Sequence, residues 1–377
     1  MKRQERYWKM EDKKKYDRIL IVRTDRIGDV ILSTPVIRAF REAYPKSYIA
    51  FMTGPATKDI VSGNPYLDEV IVYDKNGAHK NWVDSIKFAL DLRRRKFDLA
   101  IILHPTNRAH IVSFLAGIKE RVGYDKKSGF LLTKKTPDMK FEGIKHEADY
   151  ALDLAKLCGV KAVEKELFMA IKEQDKESVK IFLKNIGLKD GEKIVAMNPG
   201  ASCPSKIWPA ERFAQVADAL AKESGARIIL VSGKEDVPLA RKVQTLMRQK
   251  PIFLAGKTSL GELAALLKMC SLFISNDSGP VHIAVAVGTP VISIFGRRQP
   301  GLGPTRWKPL GEKDIVFHKY VGCAVCLAHN CKQGFRCLLS ITAQEVINSA
   351  KRLLNSSEPA AQSTALSISL KKDIVKI

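Results

Sequence analysis

Beginning at Arg18, short apolar runs alternate with stretches in which apolar residues recur at a helical period. The runs are RILIVR (18–23), SYIAFMT (47–53), EVIVYD (69–74) and FDLAIIL (97–103), with RVGY (121–124) a further candidate. Helical patterns lie near 30–44, 55–62, 82–95 and 146–158. Such alternation predicts parallel strands joined by crossover helices, because a parallel neighbour needs a connection long enough to bring the chain back to the same sheet edge. Residues 172–193 are polar and charged, with Gly187 and Gly191, and predict a junction containing a connecting helix. The pattern then restarts with KIVAMN (193–198), ARIILVS (226–232), PIFL (251–254), SLFISN (271–276) and PVISIFG (290–296), separated by helical stretches near 209–224, 235–249, 259–268 and 279–287. A last helix is expected near 342–354.

The fold class that follows is α/β, with two doubly wound domains. The expected division is a basic arm over 1–17, a first domain over 18–180, a second over 181–355 and a flexible tail over 356–377. Ligands of open α/β sheets bind at the carboxyl ends of the strands. Two such domains in tandem can therefore share a central cleft.

Composition narrows the setting. Apolar residues make up 45% of 377, an ordinary globular share. No apolar run reaches the roughly 18–20 residues that span a bilayer, and the first residues lack the apolar core of a signal peptide. The expected location is the cytoplasm. The 63 basic against 40 acidic residues give a net charge of +23, which favours an anionic partner or is a solubility device. No nucleic-acid-binding signature accompanies it.

Five stretches carry candidate chemistry, each just after a predicted strand or in a loop. In FISNDSGPVHIAVAVGTPVISIFG (273–296), Asp277 or Ser278 can cap a helix opened by Gly279 and Pro280, with His282 one turn in. The same helix start, with free N–H groups and a partial positive charge, suits phosphate. In NPGASCPSKIWPAERF (198–213), Lys206 projects from a stiff loop as either a phosphate contact or a solvated lysine; the spacing is not that of a P-loop. In VSGKEDVPLA (231–240), Glu235 can accept from ribose hydroxyls or stabilise a helix dipole. In TDRIGDVILSTP (24–35), Asp29 is either an N-cap or a general base held at the cleft. Finally, Cys323, Cys326, Cys331 and Cys337 offer a structural metal site, free thiols or a labile disulfide.

In this order, ILIVRTDRIGDVILSTPVIRAFREAYP, NPGASCPSKIWPAERFAQVADAL and SNDSGPVHIAVAVGTPVISIFG resemble glycosyltransferase family 9, the ADP-heptose:lipopolysaccharide heptosyltransferases and their relatives. GCAVCLAHNCKQGFRCL is similar to the end segment of members resembling heptosyltransferase II. The resemblance covers about residues 18–354. It implies a GT-B fold, two Rossmann-like domains facing a central cleft. It also implies an inverting, metal-independent transfer from an ADP-sugar to a lipopolysaccharide inner-core acceptor, with no cofactor. Carried over, the catalytic base falls on Asp29. Phosphate and donor-sugar contacts fall on Ser202, Lys206, Asp277, Ser278, Gly279 and His282, the ribose contact on Glu235 and the adenine side near Thr258. Lys58, Arg108 and Arg121 become candidates for gripping an anionic acceptor at the cytoplasmic face of the inner membrane, with peripheral association. Two other readings use the same scaffold: a sugar-nucleotide epimerase, and a non-catalytic anion- or RNA-binding protein.

Overall fold

The computed structural model describes residues 16–161, 164–189 and 191–356. The expected basic arm, up to residue 15, and the expected tail from 357 lie outside the described residues. Tyr16, placed by expectation in the arm, is docked: it is buried, its ring meets Tyr44 edge-on at 5.3 Å, and its hydroxyl donates to Glu120 Oε1 at 2.7 Å.

The first sheet contains β1 (Arg18–Val22), β2 (Tyr48–Thr53), β3 (Glu69–Val72), β4 (Leu99–Ile102), β5 (Glu120–Tyr124) and β6 (Lys134–Thr136). The second contains β7 (Ile194–Asn198), β8 (Arg227–Leu230), β9 (Ile252–Phe253), β10 (Leu272–Asn276), β11 (Val291–Phe295) and β12 (Ile315–His318). Their orders are β3-β2-β1-β4-β5-β6 and β12-β11-β10-β7-β8-β9, and every pairing is parallel. Renumbered within its own half, the second order is the first read from the other edge. Each sheet therefore reverses direction once, between β1 and β4 and between β7 and β10. Those two points open the crevices where doubly wound folds bind ligands.

The central strands are buried on both faces, as parallel strands covered by helices must be. Along β1, Ile19 and Ile21 join the core that faces the other lobe, and Leu20 and Val22 join the core on the outer face. The first of these cores is continuous across the lobes: it runs from Ile19, Ile21 and Phe51 to Ile194, Phe273 and Ile283. A separate core on the far face of the second sheet centres on Trp208 and Phe213 and is closed by helix Ala343–Ser356.

Of the four edge strands, β3 and β9 follow the predicted apolar runs, and β6 and β12 escaped the sequence pattern. β6 reads Lys-Lys-Thr with both lysines exposed, and β12 is only half-buried. Edge strands need no two-sided apolar pattern. The region expected as one helix over 30–44 is broken into Ile27–Ile31 and Thr34–Ala43, with Pro35 in the first turn of the second. Helix Glu173–Asn185 packs on the second lobe: Ser178 Oγ donates to Glu262 Oε1 at 3.1 Å, and a β-carbon on Gly261 would strike Asp175. The expected boundary at 180/181 falls inside this helix, and the chain passes between lobes upstream of it.

Candidate active site between the lobes

Asp29 lies in the first turn of helix Ile27–Ile31, directly beyond β1. It is not the N-cap. Arg26 occupies that position without a side-chain cap, and the Asp29 carboxylate turns to Arg23 instead. Arg23 is 1% exposed and all five of its N–H groups are engaged. Nε donates to Asp25 Oδ1 at 2.8 Å, Nη1 to the Leu103 carbonyl and Glu147 Oε1, and Nη2 to Glu147 Oε1 at 3.0 Å and Asp29 Oδ1 at 2.5 Å. Among the described residues, Asp29 Oδ2 makes no hydrogen bond, so one face of the carboxylate is left for a ligand proton. Burial pushes the Asp29 pKa up to about 6; Asp25 and Glu147 add to the rise and Arg23 opposes it.

Glu147 is fully buried. Its Oε1 also accepts from Lys140 Nζ at 2.7 Å, and its Oε2 accepts from Arg306 of the second lobe through Nε at 2.8 Å and Nη2 at 2.7 Å. Burial alone would raise its pKa, but Arg23, Lys140 and Arg306 outweigh burial and hold it well below the usual carboxylate range.

The second wall forms at the switch point of the other sheet. Asn198 ends β7, and its amide donates to Ser275 Oγ at 3.3 Å and Ser278 Oγ at 3.1 Å. Asn276 ends β10; its Oδ1 accepts the Trp208 N–H and its Nδ2 donates to the Pro199 carbonyl at 2.6 Å. The fully buried Trp208 indole donates to the Ile341 carbonyl. These bonds pin both ends of the 199–208 loop and fix where Lys206 emerges.

Ser278 stands at the N-cap of helix Gly279–Ala286, but its hydroxyl is turned to Asn198 and Ser275 and makes no cap bond. In the first turn Pro280 has no N–H and Val281 donates to the Ser278 carbonyl at 3.2 Å, so the Gly279 N–H is the one left to a ligand, at a helix start whose partial positive charge suits a phosphate. Asp277, expected among the phosphate and donor-sugar contacts, is engaged by cations in this structure. Its Oδ2 receives Lys206 Nζ at 3.0 Å and Arg297 Nη2 at 2.9 Å, so it holds two cations rather than facing an anion. Arg297 side-chain exposure is 7%, and its Nε has no hydrogen-bond partner. His282 is buried; burial, with smaller contributions from His146 and Lys206, lowers its pKa to about 3. Its imidazole is neutral and brings no positive charge to a phosphate.

The two walls touch at glycines. A β-carbon on Gly279 would lie 3.1 Å from Ile27 Cβ and 3.2 Å from the Gly28 nitrogen, and one on Gly28 would lie 3.3 Å from His282 Cδ2. Behind them, His146 Nε2 meets the Lys308 carbonyl at 2.9 Å.

The remaining candidates divide by sheet edge. Ser202 is exposed in the loop after β7, Glu235 is exposed in the turn after β8, and Thr258 follows β9 just before the capping box of Ser259 and Glu262. All three lie at the carboxyl edge of the second sheet. Lys58 is exposed beyond β2, at the carboxyl edge of the first. Arg108 also lies at this edge, but its guanidinium is committed: it donates to the carbonyls of His79 and Lys80 and to Ser85 Oγ, and sits 4.9 Å over the Trp82 ring. It pins the 74–82 loop rather than offering free donors. Arg121 is the correction. It opens β5 at the amino edge, away from the cleft, and its donors go to the Leu131 and Ile118 carbonyls.

The cysteine cluster is made of free thiols, all partly exposed. Cys326 Sγ accepts the Arg298 N–H at 3.3 Å and Cys337 donates to the Gly296 carbonyl at 2.8 Å, so the segment lines the back of the Arg297 loop. Among the described residues, no group of three or more His, Cys, Asp or Glu side chains is arranged to hold a metal ion.

The profile of glycosyltransferase family 9 (heptosyltransferase) matches residues 85–335. Lipopolysaccharide heptosyltransferase 3 of Escherichia coli K12 is 29% identical over 350 residues, covering 90% of this chain and 98% of the relative. The lipopolysaccharide core heptosyltransferase OpsX of Haemophilus influenzae is 27% identical, covering 80% and 84%. Among solved structures, a glycosyl transferase family 9 protein of Veillonella parvula superposes with a TM-score of 0.81 at 30% identity, covering 91% of this chain and 98% of that one. E. coli ADP-heptose lps heptosyltransferase II superposes with a TM-score of 0.75 at 22% identity, covering 90% and 99%. The two facing Rossmann-like lobes are the GT-B fold. The chain belongs to glycosyltransferase family 9, and is a glycosyltransferase.

Proposed function

We propose that the protein is an inverting heptosyltransferase that moves heptose from an ADP-linked donor to the inner core of lipopolysaccharide, with Asp29 as general base. The observation that carries this reading is the opposition of Asp29, with one carboxylate oxygen unbonded, to an uncapped helix start flanked by Lys206 and Arg297, where the lobes pack so closely that a β-carbon on Gly279 would lie 3.2 Å from the Gly28 nitrogen. A proton acceptor and an anion cradle on opposite walls of one crevice are what displacement of a diphosphate by a hydroxyl requires.

In this mechanism the acceptor hydroxyl gives its proton to Asp29 Oδ2 as its oxygen attacks the anomeric carbon. The bond from that carbon to the phosphate oxygen breaks, the electron pair leaves with ADP, and configuration inverts. The transition state has oxocarbenium character, as in other glycosyl chemistry. Negative charge builds on the leaving diphosphate. Lys206, Arg297 and the Gly279 N–H meet it, so protein groups rather than a divalent cation carry the neutralisation. One preorganised donor of this kind is worth roughly 2.7–4 kcal/mol in other enzymes. Ser202 joins the phosphate contacts, and Glu235 and Thr258 receive the ribose and adenine. The names of the relatives, which are lipopolysaccharide heptosyltransferases, support the sugar and the acceptor. Solved neighbours bearing ADP and an ADP-heptose analogue support the donor.

The acceptor is lipid-linked, so the reading includes peripheral docking at the cytoplasmic membrane face. Helix Trp82–Arg94 supports it: Trp82, Val83, Ile86 and Leu90 are exposed along one side, and residues 75–96 hold seven Lys or Arg against two Asp. No helix among the described residues is long and apolar enough to cross a membrane.

The test is calorimetric titration with ADP-heptose and UDP-sugars. The ADP-linked donor should bind the wild type and lose about 1.5–3 kcal/mol with Lys206→Ala, the range for a hydrogen bond to a charged group. Equal affinity for the two proteins removes the phosphate role. Donor turnover without any acceptor would favour the epimerase.

A further inference from the structure

We infer that Arg306, on the second lobe, is a positioning residue for the general base on the first, acting through Glu147 and Arg23. This rests on the assignment of Asp29 as base and goes beyond it.

The connection is short and fully bonded. Asp29 Oδ1 is held by Arg23 Nη2 at 2.5 Å, and both terminal nitrogens of Arg23 are held by Glu147 Oε1 at 3.0–3.1 Å. The other oxygen of Glu147 is forked by Arg306 at 2.7–2.8 Å. Arg306 Nη1 donates to the carbonyls of Lys140 and Gly301, and the guanidinium lies 4.6 Å over the Trp307 ring. A planar fork held through all three nitrogens transmits position, which a flexible ammonium cannot do.

Arg306 belongs to the crossover between β11 and β12, and Glu147 opens the helix that follows β6. The contact between them therefore exists only when the lobes are packed as here. The backbones support the same docking. Gly143 and Gly301, both at positive φ, approach so closely that a β-carbon on Gly143 would lie 2.2 Å from the Gly301 nitrogen.

Charge makes the connection consequential. Asp29 is faced by Arg23 and Asp25 beyond β1, and His104 beyond β4 lies 3.6 Å from Asp25. Lys140 and Glu147 face it from the segment after β6, and His146 and the His282 ring lie behind Gly28. Burial lowers the pKa of His104, His146 and His282, which disfavours their charged forms. The balance at Asp29 is thus set by three carboxylates and three cations. Among the described residues, Arg306 is the cation of the second lobe that pairs with this group. Without it, Glu147 is less neutralised, draws Arg23 toward itself and presents more negative charge to Asp29. Both effects disfavour the ionised base. With the lobes packed, Arg306 satisfies Glu147 and releases Arg23 to Asp29. The base is then at full strength only when the second lobe, which cradles the donor, is in place.

The experiment compares full-length wild type, Arg306→Gln and Arg306→Lys. Turnover at saturating donor and acceptor is measured from pH 5 to 9, with the KM of each substrate and the melting temperature. The expected result for Arg306→Gln is a donor KM within about twofold of wild type and an acid limb moved to higher pH. Each unit of that move lowers the ionised fraction of Asp29 on the limb by about tenfold. Arg306→Lys keeps the charge without the fork and should recover part of the limb position. An Arg306→Gln limb that coincides with wild type overturns the inference, whether or not turnover falls. Asp29→Asn separates this from the reading beneath it: undiminished turnover there removes the base itself.

Discussion

Gly28 of the first lobe and Gly279 of the second approach so closely that a β-carbon added to Gly28 would stand 3.5 Å from the Gly279 α-carbon and 3.3 Å from His282 Cδ2. The contact sets the spacing between the base and the phosphate cradle. Gly28→Ala would crowd the His282 ring, so that the ring or the base-bearing turn must give by a few tenths of an ångström, while Lys206, Arg297 and the Gly279 N–H keep their places. A misplacement approaching 1 Å can cost about a hundredfold in rate, so a fraction of that displacement should lower turnover by about tenfold. Calorimetry should find donor affinity unchanged. A variant that loses donor binding and keeps turnover would show that the contact does not set the reacting distance.

The local part of this site was legible in sequence because it is written in strand–turn–helix units. Gly28-Asp29, Lys206 and Ser278-Gly279 each sit one turn beyond a strand, and the parallel-sheet rule alone sends them to one edge. What the pattern could not reveal was which charges meet. Arg23 and Glu147 are 124 residues apart, and Glu147 and Arg306 are 159 apart; no periodicity links them. Asp277 borders the helix start proposed to take phosphate, and its contacts with Lys206 and Arg297, which no sequence pattern shows, make it a holder of cations. Arg121 was misplaced for a related reason: a strand's amino and carboxyl ends look alike in composition but lie on opposite edges of the sheet. Two signals were available and missed, namely the asparagines that end β7 and β10, since buried amides at strand ends stitch neighbouring loops.

The partly buried Asp29 carboxyl, raised to about 6, places the acid limb of turnover. A general base must be ionised to accept the acceptor proton. Turnover should therefore fall as pH drops through about 6, well above the ordinary aspartate range. Asp29→Asn should bind donor normally and transfer at the limit of detection. An acid limb near 4, the unperturbed aspartate value, would mean that another group carries the proton or that the site is wetter during turnover.

His282 makes folding acid-sensitive. Its pKa is about 3 in the folded chain against 6.5 for the free side chain. Between those values the unfolded chain binds a proton that the folded chain does not, so stability falls as pH is lowered, by up to about 1.4 kcal/mol per unit. Asp29 acts with the opposite sign. Raised from 3.8 to about 6, it binds its proton more readily when folded, so it adds stability as pH falls through that window. The two partly cancel, and wild-type stability alone is uninformative. The comparison that isolates His282 is urea unfolding of wild type and His282→Gln at pH 6.5 and 5. Acidification should cost the wild type about 2 kcal/mol more than the variant. Equal losses would mean that His282 is solvated in the folded protein.

Membrane docking makes a demand on helix Trp82–Arg94 that catalysis does not. Ser85, Ala89 and Leu92 anchor it to the first lobe, while Val83, Ile86 and Leu90 recur at helical spacing on the opposite side, with Trp82 at the start. An apolar stripe bordered by basic residues inserts shallowly at an anionic surface, held by buried area and by roughly 1 kcal/mol per basic residue near the surface. Trp82 and Ile86 are 46% and 43% exposed, so changing both to Ser should leave the melting temperature near wild type. In co-sedimentation, the variant should bind phosphatidylglycerol vesicles at least about tenfold more weakly, given 1.5–3 kcal/mol for each large apolar side chain fully buried. Wild-type binding should weaken with salt and be slight on phosphatidylcholine alone. Transfer to a soluble, delipidated acceptor should be unchanged, while transfer to acceptor embedded in vesicles should fall with binding. Equal loss on both acceptors would assign the helix to the acceptor pocket itself, and no loss on either would place the membrane contact elsewhere on the lobe.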